Sequence, residues 1–93
     1  MYTHTIEYIR EIYARDMSKS QSAMLLQLMC NLDSIEEAIR AKTLSPIQLA
    51  LSIGGILGIQ RLSGNLTEEK FRELCYLDQE ENETYAQEYY RNL

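Results

Sequence analysis

His4 is the only histidine in this 93-residue chain, and that count decides much of the chemistry the sequence can carry. A Ser–His or Cys–His nucleophile would have to recruit it, yet it stands near a chain end, where fraying is common. The two cysteines, Cys30 and Cys75, are far apart and lack CxxC spacing. With one histidine they fall short of the ligand set that zinc takes. Set among apolar residues, both read as buried, reduced thiols. Glu36-Glu37 and Glu80-Glu81 are paired acids, but adjacent helical side chains diverge by about 100° and do not converge on one substrate atom. Gly54, Gly55 and Gly58 have no lysine beside them, so they do not form a phosphate loop. The residues point to no enzyme, no catalytic residue, no metal centre and no cofactor.

Tyrosine is the residue type whose placement is most unusual. All seven lie toward the ends, at Tyr2, Tyr8, Tyr13, Tyr76, Tyr85, Tyr89 and Tyr90, and tryptophan is absent. A tyrosine offers an apolar ring with a polar tip, which suits half-buried contacts. Two readings stand. The terminal helices pack together and the rings cover the seam, or the rings form a contact surface for a partner. In the second reading the surface comprises Glu80, Glu81, Glu83, Tyr85, Glu88, Tyr89 and Tyr90.

Charge separates along the chain. Residues 1–63 carry six acids and six bases, whereas residues 64–93 carry eight acids and three bases, so the net −5 sits in the last third. That imbalance argues against nucleic acid and anionic membrane as partners and favours a protein with a basic surface. The first residues, MYTHTIEYIREIY, carry charges where a secretory leader needs an apolar run, which gives a cytoplasmic expectation.

The elements that must hold these residues read as helices. Only one proline and four glycines occur, and alternating β-branched runs are absent. Residues 3–16 form an amphipathic helix with Tyr2, Ile6, Ile9 and Tyr13 on one stripe. DMSKSQS, residues 16–22, reads as a turn in which Ser18 and Gln21 make a capping box; one long helix is the alternative. Residues 19–32 are apolar nearly all round. Asp33 with Glu36 marks another helix start, giving a short helix over about 34–42. Thr67 caps a later helix, with Glu68 and Glu69 in its first turn. After Leu77 the apolar pattern lapses through DQEENET, so residues 78–93 read as an acidic, tyrosine-rich helix extending off the body, with a break near Asn82 as the alternative.

The stretch from Leu44 to Gly64 organises the rest. Ser45, Pro46 and Gln48 form a cap, a first-turn proline and a capping box, Leu44 and Leu49 staple it, and Gly64 suits the left-handed closing position. Leu49, Leu51, Ile53, Ile56, Leu57, Ile59 and Leu62 point all round the helix, so it must be covered by a core, an oligomer or lipid. It is too short and too often interrupted by polar residues for lipid. Ala50, Gly54 and Gly58 share one face, and each glycine costs about 1 kcal/mol of helix propensity. They provide close packing within the chain, or a homo-oligomer seam, or a break at Gly54-Gly55.

The resulting expectation is one all-α domain spanning residues 1–93, a compact bundle of about five helices around the apolar helices 19–32 and 45–63. Its expected role is that of a small acidic regulator or inhibitor binding a partner protein, in the manner of antitoxins, antirepressors or anti-defence proteins. An alternative rests on Leu49-Ala50-x-x-Ile53-Gly54, which resembles the supporting helix and turn of a helix-turn-helix. Residues 56–62 would then read DNA, with only Gln60 and Arg61 to do so.

Overall fold

The computed structural model describes residues 1–15 and 22–93, with side chains of residues 22–28 not described. Residues 16–21 of the expected turn, with its Ser18–Gln21 box, and the apolar side chains from Ala23 to Leu28 lie outside the described residues, while Ser22 opens α2. Four helices are present among the described residues: α1 (Thr3–Arg15), α2 (Ser22–Ala41), α3 (Pro46–Leu62) and α4 (Glu68–Arg91). No strand occurs among the described residues.

The count is four rather than about five because the start signal at Asp33 is not used. α2 runs through it. Both carboxylates of the expected box turn outward to a cation on another helix: the Arg10 guanidinium donates to Asp33 at 2.7 Å and to Glu36 at 2.5 Å. A mid-helix aspartate costs only a few tenths of a kcal/mol, which a charge-assisted contact of this kind offsets.

α2 ends with a left-handed residue, as helices often do, but that residue is Lys42 at φ 54° rather than glycine. The Thr43 N–H reaches the Ala38 carbonyl at 3.1 Å and closes the turn. α3 begins as its sequence implies. The Ser45 hydroxyl accepts from the Gln48 N–H at 3.2 Å, and the Gln48 side chain accepts from the Ser45 N–H at 2.8 Å. At its far end Gly64 takes φ +77°, and the Asn65 and Leu66 N–H groups return to the Gln60 carbonyl. Thr67 then caps α4 by accepting from the Lys70 N–H at 3.1 Å.

All four helices contribute to the core: Ile6 and Ile9 from α1, Leu32 and Ile35 from α2, Leu49, Ile53 and Leu57 from α3, Leu74 and Tyr85 from α4, with Leu66 in the connection. Gln60 is also buried; its amide donates to the Tyr13 hydroxyl and accepts from the Asn65 side chain at 3.2 Å. α3 is therefore buried on one face alone. Ile47, Leu51, Ile59 and Leu62 are 66, 72, 60 and 92% exposed. Gly54-Gly55 does not break it, and a methyl group added at Gly54, Gly55 or Gly58 would meet nothing within 4 Å among the described residues. Among the described residues, nothing packs closely against these small residues.

Candidate protein-contact surface

Three polar side chains of α4 take up the free N–H groups at the start of α1. A helix leaves its first N–H groups without partners. Here Asn82 Oδ1 accepts from the Tyr2 N–H at 2.9 Å and Glu81 Oε1 from the Thr3 N–H at 2.6 Å. Asp78 Oδ1 accepts from the His4 N–H at 2.9 Å and from its ring Nδ1 at 2.8 Å. Asp78 Oδ2 accepts from the Thr5 N–H at 3.0 Å and the Thr5 hydroxyl at 2.6 Å. Burial works to raise the Asp78 pKa, but the bonds from Thr5 and His4 outweigh it and hold the carboxyl below its ordinary value. Its charge also faces the positive end of the α1 dipole.

His4, Asp78 and Glu81 thus each bring a ligand-type atom within 4.8 Å of the others. All three groups are engaged in the cap, so a cation there would compete with the bonds that dock α1 on α4. The cluster works as a helix anchor.

This joint explains why residues 78–84 hold helical structure with no apolar residue among them. Leu74, Asp78, Glu81 and Tyr85 follow one another at helical spacing along the inward face of α4, which continues unbroken past Asn82.

The seven residues expected to meet a partner divide between two faces of α4. Tyr85 is buried, donates its hydroxyl to the Leu44 carbonyl at 2.8 Å, and has its phenol pKa raised by burial. Tyr89 is half-buried, stacks on Tyr85 with centroids 6.3 Å apart, and packs on the core. Glu81 serves the α1 cap. Glu88 pairs with Lys42 at 2.8 Å, and that hydrogen bond lowers its pKa. Glu80, Glu83 and Tyr90 point to solvent. Of the tyrosines at the two chain ends, Tyr85 and Tyr89 therefore cover a seam, while Tyr76 and Tyr90 are 77 and 51% exposed.

Tyr76, Glu80, Glu83, Gln87 and Tyr90 recur at steps of four, three, four and three, which places them on one outward stripe. Glu80 and Glu83 enter no ion pair among the described residues; Glu83 accepts only from the neighbouring Gln79 amide at 3.2 Å. Beside the stripe lies an open, mainly apolar groove of about 630 Å³ lined by Tyr2, Leu57, Phe71, Leu74 and Cys75, with Tyr76 and Glu83 at its edge. Tyr76 did not stand out in the sequence, although its helical spacing to Glu80 and Glu83 was the available signal. The expectation of buried thiols is overturned: Cys30 and Cys75 are both free and exposed.

The second apolar surface is the outer face of α3, where Ala50, Gly54 and Gly58 lie beside Ile47, Leu51 and Leu62. Because α3 is one helix, the turn of a helix-turn-helix does not form between Ile53 and Ile56. Arg61, expected to read bases, is paired with Glu68 and lies 4.8 Å over the Phe71 ring. No helix among the described residues is long and apolar enough to cross a membrane. Comparison with protein-family models, curated proteins and solved structures gives no match for this chain.

Proposed function

We propose that this chain is a non-enzymatic regulator or inhibitor that binds another protein through the outward stripe of α4. The observation that carries the reading is the pair Glu80 and Glu83, two carboxylates without a cationic partner among the described residues, set between exposed Tyr76 and Tyr90. Aromatic anchors beside unpaired charge give a contact both affinity and orientation. A partner with a basic surface supplies the missing cations, and one of its apolar side chains fills the groove beside Tyr76. Two exposed free thiols suit a reducing compartment, in keeping with a cytoplasmic site of action.

The test is affinity capture from nuclease-treated lysate of the native host, with a Glu80→Lys, Glu83→Lys double variant and a Tyr76→Ala variant run in parallel. A stoichiometric protein retained by the unmodified chain and lost with the double variant supports the reading. Retention by both variants removes the stripe as the contact, and a bait that retains nothing removes the partner reading itself.

A further inference from the structure

The groove beside Tyr76 has a shape that selects what can enter it. Along α4 its lining reaches from Phe71 to Ala86, fifteen residue steps or about 22 Å at the α-helical rise. A volume of about 630 Å³ spread over that length leaves a mean cross-section of about 30 Å², which suits a single file of side chains. The lining is mainly apolar, with Leu57, Phe71 and Leu74 toward one end and Ala86 at the other, and Cys75 is exposed within it. An element that lays such a file into the groove must satisfy its own backbone. No strand edge stands among the described residues to pair with an extended peptide. An extended peptide would therefore turn backbone N–H and C=O groups toward an apolar lining, whereas a helix bonds its own.

The two ends of the groove differ in charge. Glu83 stands at the Ala86 end without a cationic partner among the described residues, and Glu80 lies one turn from it on the neighbouring stripe. At the Phe71 end the Arg61 guanidinium lies 4.8 Å over the Phe71 ring and also pairs with Glu68. A helix has a positive N-terminus and a negative C-terminus. It complements the groove when its N-terminus lies at Glu83 and its C-terminus at Arg61, which sets it antiparallel to α4. We infer that the occupant is an amphipathic helix of a basic partner protein, laid antiparallel to α4. Its apolar side chains at i, i+4, i+7 and i+11 enter the groove, and lysine or arginine in its first two turns meets Glu83 and Glu80. Those four anchors span eleven steps, about 16 Å, which fits within the groove. The inference rests on the partner reading and adds the form and direction of the contact; the apolar side chain beside Tyr76 is one of the four anchors.

The test uses the full chain and two synthetic helical peptides of identical composition, each with leucine at i, i+4, i+7 and i+11. One carries its lysines in the first two turns, the other in the last two. Maleimide alkylation of the exposed thiols, read by mass spectrometry, reports occupancy: Cys75 lies in the groove, and Cys30 on α2 is the internal control. The first peptide should protect Cys75 at about one tenth of the concentration that the second requires, with Cys30 unaffected. Glu83→Gln, a change at an exposed side chain, should shrink that advantage. Protection by neither peptide, or of both cysteines alike, overturns the inference. So does equal protection by the two peptides in the unmodified chain, or a preference for the second. Equal protection by a proline-broken version of the first peptide assigns the groove to an extended segment, and protection that grows with chain concentration alone assigns it to a second copy; either overturns the inference. Failure of the partner reading is distinguished by capture from lysate with Ala86→Trp and Cys75→Trp, two independent fillings of the groove. A protein retained by the unmodified chain and equally by both variants leaves the partner reading intact and overturns this one. A capture that retains nothing removes the partner reading, and this inference with it.

Discussion

Asp78 on α4 accepts the Thr5 hydroxyl on α1 at 2.6 Å, at a site where both residues are almost wholly buried. The same carboxylate takes the backbone N–H groups of His4 and Thr5. One side chain thereby holds the first turn of one helix against the middle of another. Removing it strands several donors at once, and unmet buried donors cost about 1–3 kcal/mol each. Asp78→Ala should destabilise the fold by about 3 kcal/mol or more, and Asp78→Asn by less, since its one oxygen still accepts. Urea denaturation followed by circular dichroism measures both; a loss under about 1 kcal/mol for Asp78→Ala would show that the joint is held by its apolar neighbours instead.

The same carboxylate sets an acid limit. Because the hydrogen bonds from Thr5 and His4 outweigh burial, the folded pKa lies below the unfolded value of about 3.9. A depressed carboxyl contributes stability that is present above the unfolded pKa and is lost as pH falls through the folded one. Stability should therefore hold from neutral pH down to about pH 4 and decline below it. Asp78→Asn should flatten that acid limb. An unchanged slope in the variant, read from denaturation midpoints at a series of pH values, would assign the acid sensitivity to other groups.

Lys42 closes α2 in the left-handed region at φ 54°. A side chain there costs about 1 kcal/mol relative to glycine. Its ammonium contributes a surface pair with Glu88 at 2.8 Å, and such pairs are worth about 0–1 kcal/mol. Lys42→Gly should therefore leave stability equal or raise it by up to about 1 kcal/mol. Thermal melts of the variant and of Glu88→Gln separate the two contributions. A clear loss in Lys42→Gly with none in Glu88→Gln would mean that the lysine stem packs against the body.

Three glutamates close together on α4 should behave differently. Glu81 accepts the Thr3 N–H at 2.6 Å, while Glu80 and Glu83 face water. Glu81→Ala should cost about 1 kcal/mol, as loss of a helix cap does. Glu80→Lys and Glu83→Lys should stay within about 0.5 kcal/mol of the unmodified chain. Denaturation curves for the three variants check the contrast, which also shows that the charge-reversal variants used for partner capture are folded. Equal losses in all three would contradict the division of α4 into a docking face and an outward face.

The limits of α3 were legible because its signals are local: Ser45, Pro46, Gln48 and Gly64 act on backbone within a few residues of themselves. The reading of Asp33 failed for the opposite reason, since the group that claims its carboxylate is Arg10, which no local pattern connects to it. DQEENET resembled solvated charge because an apolar-period test discards polar side chains. Yet Asp78 falls on the helical stripe between Leu74 and Tyr85, both core residues, and that position was a sign that the acid faces inward. At the candidate surface, the division of the tyrosines was hidden for a related reason. Tyr85 and Tyr90 differ in the helix face they occupy, and which face of α4 turns inward is decided by the elements packed against it, α1 and α3.

The cap on α1 also sets an order of events. The His4 N–H finds its acceptor 74 residues later in the chain. During synthesis, α1 therefore leaves the ribosome long before the side chains that complete its first turn exist. As a 13-residue segment it is marginal alone. Its first turn is completed only when α4 has formed, so a helix made later determines when the earlier one is secured.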